Sequence, residues 1–168
     1  MKSVTIIYGS STGNTQRAAQ SIKSHLNGFD VTILDVAKAS QSNLELATNL
    51  IFGTSTWGLG DVQDDWDSFL PVLKKASLDG KTIALFGLGD GSSYSDTFVE
   101  GMSAIHQVLT AKNCHIVGRT PVDGYDFSES TAVVDGAFVG LPLDEDNESD
   151  QTEARIQAWV ARIAPEFC

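Results

Sequence analysis

The stretch "YGSSTGNT", Tyr8 to Thr15, decides the fold, because it follows a short apolar run and opens a segment of helical period. Six of its eight residues are glycine, serine or threonine, and none carries a charge. A strand that passes through a small polar turn into a helix is the first half of a βα unit.

The rest of the chain repeats this alternation. Five short apolar runs are predicted to be strands buried on both faces: Val4–Tyr8, Val31–Leu34, Leu50–Phe52, Ile83–Leu88 and Ile116–Val117. Four sets at three- and four-residue spacing are predicted to be helices: Ala18/Ile22/Leu26, Trp66/Phe69/Leu70/Leu73, Phe98/Met102/Ile105/Leu109 and Ile156/Trp159/Val160/Ile163. A short helix is predicted within Ala39–Leu46. The alternation predicts an α/β fold with a parallel sheet covered by helices on both faces.

One segment departs from the alternation. The sequence "RTPVDGYDFSESTAVVDG", Arg119 to Gly136, carries turn residues and no sustained period, and "AFVGLPL" after it is predicted to be a strand. The simplest interpretation is a long insertion inside or beside the last strand. Irregular stretches of this length in a compact domain are usually functional or flexible.

Composition limits the function classes. The 168 residues are predicted to form one domain, 1–168, and the formal net charge of −11 argues against nucleic acid and anionic membrane surfaces as partners. No apolar run approaches the roughly 18 residues of a membrane span, and the first apolar run is too short for a signal peptide. Only two cysteines are present, which favours a reducing compartment and predicts a cytoplasmic protein.

Three loops follow neighbouring strands of the predicted sheet, where ligands of parallel α/β folds bind. The first, Ser10–Thr15, has neutral donors at a helix N-terminus, which suits a single phosphate, although a polar N-cap explains the same residues. The second, "TSTWGLGD", places Trp57 among glycines, either in the core or ready to stack on a planar ligand. The third, "GLGDGSSYSD", carries Tyr94. Together they predict a site for a phosphorylated flat ring system.

With these motifs the chain resembles flavodoxins over essentially its whole length. "GSSTGNT" is similar to the family's phosphate loop for flavin mononucleotide (FMN), and "TSTWGLGD" and "FGLGDGSSY" are similar to its two flavin-ring loops. The insertion, with "AFVGLPLDEDN" after it, resembles the long-chain subgroup. The resemblance implies a doubly wound, five-stranded parallel sheet of order 2-1-3-4-5. It also implies non-covalently bound FMN and a low-potential single-electron carrier, which cycles between semiquinone and hydroquinone and serves redox partners in place of ferredoxin.

The resemblance also implies roles for individual residues. Trp57 would stack on the inner face of the flavin ring and Tyr94 on the outer face. The peptide between Gly58 and Leu59 would flip on reduction so that its carbonyl accepts a hydrogen bond from the flavin, and a β-branched residue at position 58 would oppose the flip. The remaining predicted contacts are Ser10, Ser11, Thr12, Gly13, Asn14 and Thr15 for the phosphate, Thr56 and Asp146 for the ribityl chain, Gly60 in the ring loop, and the backbone of Asp90, Thr97 and Val99 for the pyrimidine edge.

Acidic residues follow both ring loops: Asp61, Asp64, Asp65 and Asp67 after the first, and Asp90, Asp96 and Glu100 in or after the second. Their summed charge would oppose formation of an anionic reduced flavin and attract basic surfaces. Expected partners are therefore basic-surfaced redox proteins, such as a ferredoxin/flavodoxin-NADP reductase, photosystem I or nitrogenase, which a monomeric carrier would meet transiently.

Two other function classes are alternatives for this chain. An FMN-dependent reductase of quinones or similar small acceptors would need room above the ring, where Trp57 and Tyr94 are predicted to lie. A phosphoacceptor receiver shares the strand order but needs an acidic pair at the end of the first strand, and "IIYGSS" has none. No residue set suggests a catalytic acid–base pair or a metal site.

Overall fold

The computed structural model describes residues 1–168 and contains ten strands and six α-helices. In chain order these are β1 (Lys2–Gly9), α1 (Asn14–His25), β2 (Phe29–Asp35), α2 (Gln41–Leu46), β3 (Asn49–Trp57), β4 (Asp61–Val62), α3 (Asp64–Lys75), β5 (Thr82–Leu88), α4 (Gly101–Thr110), β6 (His115–Val117), β7 (Thr120–Pro121), β8 (Val133–Val134), β9 (Ala137–Phe138), β10 (Leu141–Leu143), α5 (Glu145–Glu148) and α6 (Thr152–Ile163). None of the six helices combines the length and the hydropathy that a membrane-spanning helix needs.

The main sheet is parallel and runs in the order β2-β1-β3-β5, and its fifth position is shared by two short strands. Strand β6 pairs with β5 along Thr82–Ala84, and β10 pairs with β5 along Phe86–Leu88. The predicted order 2-1-3-4-5 with an insertion in the last strand is therefore confirmed. We refer to residues 118–140, which separate β6 from β10, as the insertion.

Two strand predictions need correction. Val31–Leu34 is not buried on both faces: β2 is an edge strand whose residues alternate between half-buried and exposed over most of its length, and it has a neighbouring strand, β1, on one side only. The predicted strand "AFVGLPL" is not continuous either. Ala137–Phe138 pairs with β7 and β8 in a small antiparallel sheet, whereas Leu141–Leu143 joins the main sheet.

The core has one apolar layer on each face of the main sheet, as alternate strand residues require. Ile7, Phe52 and Leu85 face one side, where α3 and α4 contribute Trp66 and Met102. The other side contains further strand residues and the apolar faces of α1 and α6, among them Val4, Ile6, Ile51, Phe86, Ile22 and Trp159. Both layers stop at the carboxyl ends of the strands, where the polar loops begin.

The insertion packs on this body through an aromatic cluster. Phe138 is fully buried and lies 5.3 Å from Tyr125 and 5.9 Å from Phe98, measured between ring centroids. The hydroxyl of Tyr125 donates to the Pro142 carbonyl at 2.8 Å, and the Arg155 guanidinium lies 4.0 Å above the Tyr125 ring. The insertion, which the sequence predicted to lack regular structure, is thus attached to the rest of the domain through Phe98 before it and through Pro142 and Arg155 after it.

We expect the phenol of Tyr125 to ionise last among the tyrosines affected by burial. Burial raises its pKa from 10.0 to about 12, despite the opposing charge of Arg155. Because the folded pKa is raised, the stabilisation from this group is complete below pH 10 and is lost as the pH rises towards about 12. Absorbance titration of phenolate should show a step near pH 12 that Tyr125→Phe lacks. An identical curve for the variant would contradict this assignment.

Candidate cofactor site

A cavity of about 360 Å³ opens at the carboxyl ends of β1, β3 and β5. Its lining comes from the ends of β3 and β5, from the loops that follow the three strands and from α5, and most of the lining residues are polar, with two large aromatic side chains among them. The lining residues are Thr12, Asn14, Ser55, Thr56, Trp57, Gly58, Leu88, Gly89, Asp90, Tyr94, Thr97, Glu145 and Asp146. The cavity therefore lies where parallel α/β sheets bind their ligands.

The loop after β1 delivers the N-terminus of α1 to this cavity. Gly13 is the N-cap with φ +93°, a left-handed conformation that favours glycine, and its N–H donates to the Ser10 hydroxyl at 2.9 Å. No side chain caps the first turn and no acidic residue lies in it. The free N–H groups and the helix dipole therefore make this end attractive to an anion.

Three buried hydroxyl groups in this region have no hydrogen-bond partner: the Oγ1 atoms of Thr15 and Thr97 and the Oγ atom of Ser55. Thr15 is the second residue of α1, and the other two residues line the cavity. A buried polar group without a partner costs on the order of 1–3 kcal/mol. Their concentration around one cavity indicates that a polar ligand supplies the missing partners.

The two aromatic side chains that line the cavity are unusually exposed. Trp57 has 41% and Tyr94 has 46% of its surface exposed. The possibility that Trp57 belongs to the core is thereby excluded. Between them the cavity offers two apolar faces for a flat ring. Gly58, next to Trp57, has φ +53°, so a residue without a side chain is favoured there.

The loop with Tyr94 is tied to the end of β10 by two residues that the sequence interpretation did not single out, Asp144 and Asn147. The buried Asp144 carboxylate accepts hydrogen bonds from the Gly91 N–H at 3.0 Å and the Asn147 N–H at 3.1 Å. The Asn147 amide also donates to Asp90 at 2.8 Å. Both residues lie in the segment "LDEDN", in which the family resemblance points only to Asp146.

Carboxylates give this side of the cavity a negative field. The pKa of Asp146 is raised by partial burial and by the neighbouring carboxylates of Asp90, Asp144 and Glu145. The pKa of Asp90 is lowered, chiefly because the Ser93 N–H donates to it. A lowered pKa means that this carboxylate stays ionised as the pH falls, so the negative charge beside the cavity persists in mild acid.

Gln63, which the sequence did not predict as a site residue, connects the start of α3 to the loop after β1. It is buried at the N-terminus of α3, where its side-chain oxygen accepts from the Asp65 and Trp66 N–H groups at 3.1 and 3.2 Å. Its amide nitrogen lies 3.4 Å from the Ser11 hydroxyl in the loop after β1. A lone Gln in "DVQDDW" has no sequence signal for this contact, because it depends on how β1 and β3 pair.

Nine of the sixteen predicted contact residues line the cavity, and seven do not. Those that do are Thr12, Asn14, Thr56, Trp57, Gly58, Asp90, Tyr94, Thr97 and Asp146. Those that do not are Ser10, Ser11, Gly13, Thr15, Leu59, Gly60 and Val99. Leu59 is 84% exposed at the rim, whereas Val99 is fully buried with φ +50°.

Comparison with known proteins agrees with this site. A family model described as flavodoxin matches residues 6–159. A flavodoxin of Picosynechococcus sp. is 41% identical over 168 residues, which cover 99% of each chain, and one of Helicobacter pylori is 42% identical over 167 residues, again 99% of each. The chain belongs to the flavodoxin family. The recognised motifs thus led to the correct family, and the same comparisons give no support to the reductase alternative.

Solved structures extend the comparison to three dimensions. A flavodoxin of Fusobacterium nucleatum bound to flavin mononucleotide superposes with a TM-score of 0.95 at 30% identity and covers 100% of both chains. A Bacillus cereus flavodoxin, at 22% identity and a TM-score of 0.74, supports the fold alone. The fold of this chain, insertion included, is thus closely matched by that of a flavin-binding relative.

Proposed function

We propose that this flavodoxin family member binds FMN non-covalently in the cavity at the ends of β1, β3 and β5 and works as a low-potential single-electron carrier. The observation that carries the proposal is the pair of exposed aromatic side chains, Trp57 and Tyr94, beside a cavity surrounded by unpartnered buried hydroxyls. Bound FMN supplies the redox chemistry, because its ring system accepts and releases electrons one at a time in a suitable site.

The phosphate of FMN is assigned to the N-terminus of α1. The loop Ser10–Thr15 offers hydroxyl groups and uncapped N–H groups, and no lysine or arginine lines the cavity, although the Arg17 guanidinium donates to Asn14 beside it. Neutral donors at a helix N-terminus bind a single phosphate through hydrogen bonds and the helix dipole. The unpartnered Thr15 hydroxyl is one donor for it. Thr56 and Asp146, both in the lining, are assigned to the ribityl chain.

The ring is assigned to the space between Trp57 and Tyr94, and the backbones of Asp90 and Thr97 to its polar edge. Aromatic faces exclude water from the ring and so disfavour a charged reduced form. Gly58 contributes a peptide that can present either its N–H or its carbonyl, since positive and negative φ are both open to glycine. With FMN bound, these residues would favour different potentials for its two one-electron steps.

The redox partners are proposed to have basic docking surfaces, as a ferredoxin/flavodoxin-NADP reductase, photosystem I or nitrogenase would need. The chain has 22 acidic residues against 11 lysines and arginines, and Asp61, Asp64 and Asp67, which follow the exposed Leu59 in the sequence, are exposed as well. Such a surface attracts a basic partner at long range and releases it readily at higher salt. The proposed working form is a monomer in the cytoplasm, where its two free cysteines stay reduced.

Stepwise reduction of the FMN-loaded protein tests the proposal. With dithionite under argon, we expect the yellow protein to pass through a stable blue one-electron-reduced form and to bleach only at low potential. The measurement is visible absorbance against added reductant, with free FMN as the control. A direct change from yellow to colourless would contradict the single-electron carrier, and failure to bind FMN at all would contradict the site.

A further inference from the structure

We propose that Arg17 makes the site prefer a phosphorylated flavin over an unphosphorylated one. Its guanidinium lies outside the cavity, where its charge and its contact with Asn14 strengthen the binding of a phosphate at the N-terminus of α1. The inference rests on the proposed binding of FMN, and it adds a cation to a phosphate site whose other donors are neutral.

Arg17 lies in the first turn of α1, against the loop Ser10–Thr15. Its backbone N–H donates to the Gly13 carbonyl at 3.0 Å, and a Cβ added at Gly13 would lie 3.3 Å from the Arg17 Nη1 atom. Gly13 is the N-cap of α1, so the guanidinium lies beside the backbone at which the helix begins. The positive charge is therefore close to the free N–H groups that attract an anion.

This position of Arg17 is unfavourable for the helix by itself. The N-terminus is the positive end of the helix dipole and repels a cation. No acidic residue occurs in α1, and none of the three close pairs of basic and acidic side chains in the structure includes Arg17. Sequences break such local rules mainly at functional sites. A bound phosphate dianion would supply the counter-ion that Arg17 lacks.

Arg17 also orients the side-chain amide of Asn14. The Arg17 Nη2 atom donates to the Asn14 Oδ1 atom. An asparagine amide has one oxygen, which accepts, and one NH₂ group, which donates. Because Arg17 occupies the oxygen, the NH₂ group is left for other acceptors, and Asn14 lines the cavity. An anion binds through donors, so this orientation suits a phosphate.

The neighbouring Thr15 gives independent evidence that an anion binds at this helix end. Thr15 is 1% exposed, and its Oγ1 atom has no hydrogen-bond partner. The first turn of α1 thus combines a buried hydroxyl without a partner, uncapped N–H groups and a cation without a counter-ion. A single phosphate would satisfy all three, whereas a neutral ligand would leave the charge of Arg17 unpaired.

The test compares three single variants. Arg17→Gln removes the charge and keeps a polar side chain, whereas Arg17→Lys keeps the charge. Lys23→Gln is the matched control, because it makes the same change in net charge on the same helix, about 9 Å further along the axis. Dissociation constants for FMN and for riboflavin are measured by quenching of flavin fluorescence, at about 20 mM and at about 500 mM salt.

We expect Arg17→Gln to bind FMN about 3- to 10-fold more weakly than the unaltered protein at low salt, the effect of one exposed charge near a dianion. High salt should reduce the difference to less than about 2-fold, because exposed charges are screened. Riboflavin affinity should be unchanged. Arg17→Lys should keep most of the affinity for FMN, and Lys23→Gln should bind FMN within about 2-fold of the unaltered protein.

Equal affinity for FMN in Arg17→Gln and the unaltered protein at low salt would overturn the inference. An equal loss in Lys23→Gln would overturn it too, because only the net charge of the protein would then matter. So would an equal loss for riboflavin, because the substitution would then disturb the ring site. A failure of the proposed function is distinct from all three, since the unaltered protein itself would then not bind FMN.

Discussion

Trp66→Ala is expected to lower the free energy of unfolding of the FMN-free protein by about 3–5 kcal/mol, the usual cost of removing a fully buried aromatic side chain. Trp66 is 0% exposed and packs on Phe52 and Phe69 at centroid distances of 5.2 and 5.8 Å. Its indole N–H also donates to the Gly53 carbonyl at 2.8 Å. Since domains have only about 5–15 kcal/mol of stability, the variant should be close to unfolding.

The same tryptophan supports the site. A Cβ added at Gly9 would lie 2.6 Å from the Trp66 Cδ1 atom, so the indole lies directly against the backbone from which the Ser10–Thr15 loop begins. Loss of the ring would leave a cavity at the base of this loop. We therefore expect Trp66→Ala also to weaken FMN binding. Trp66→Phe keeps an aromatic ring but loses the N–H donor and part of the indole, and it should lower the free energy of unfolding by only about 1–3 kcal/mol.

Trp57→Ala is the matched control, because it removes the same side chain from an exposed position nine residues earlier. Urea unfolding of the FMN-free variants should give a midpoint near the original for Trp57→Ala, within about 0.5 kcal/mol in stability, and a much lower midpoint for Trp66→Ala with a similar slope. Equal destabilisation by the two substitutions would contradict the assignment of Trp57 to the cavity and of Trp66 to the core.

The sequence predicted the fold well because its signals are local. Apolar runs such as Ile83–Leu88 and helical spacings such as Ile156/Trp159/Val160/Ile163 depend only on residues a few positions apart, and the structure confirms them. The prediction that Val31–Leu34 is buried on both faces was wrong, because burial depends on which strand lies at the edge of the sheet. A run of four residues with three apolar side chains carries no information about whether a further strand lies beside it.

Site residues could be predicted from the sequence where a single motif forms a single loop. Residues that connect two separate loops could not. Trp57 and Tyr94 were selected as isolated aromatics among small residues, and both line the cavity. Asp144 and Gln63 were missed, because each is defined by a partner in a distant segment, Gly91 and Ser11 respectively. The contacts of the insertion with Ser95 and Phe98 were out of reach for the same reason.

Thr15→Val is expected to have opposite effects on two properties: it should leave the stability of the FMN-free protein unchanged or slightly raised, and it should weaken FMN binding. Valine has nearly the shape of threonine, and the Thr15 hydroxyl is buried without a partner, so the FMN-free variant should be as stable as the original or slightly more stable. FMN binding should weaken by about 10- to 150-fold, which corresponds to about 1.5–3 kcal/mol for a lost hydrogen bond to a charged acceptor.

The control variant is Thr82→Val, which alters another buried threonine, at the opposite end of the sheet. The Thr82 hydroxyl already has a partner in the Cys168 thiol at 3.6 Å, so this variant should lose a little stability and no affinity for FMN. Affinity is measured by quenching of flavin fluorescence, and stability by urea unfolding of the FMN-free proteins.

Binding of riboflavin, which lacks the phosphate, shows which part of FMN the Thr15→Val substitution affects. If Thr15 holds the phosphate, Thr15→Val should bind riboflavin as well as the original protein does, although both bind it more weakly than FMN. A loss of riboflavin affinity equal to the loss for FMN would mean that the substitution disturbs the ring site instead. Undiminished FMN binding would mean that the buried hydroxyl at the start of α1 has no part in holding the phosphate, and that the uncapped N–H groups of the helix hold it without this side chain.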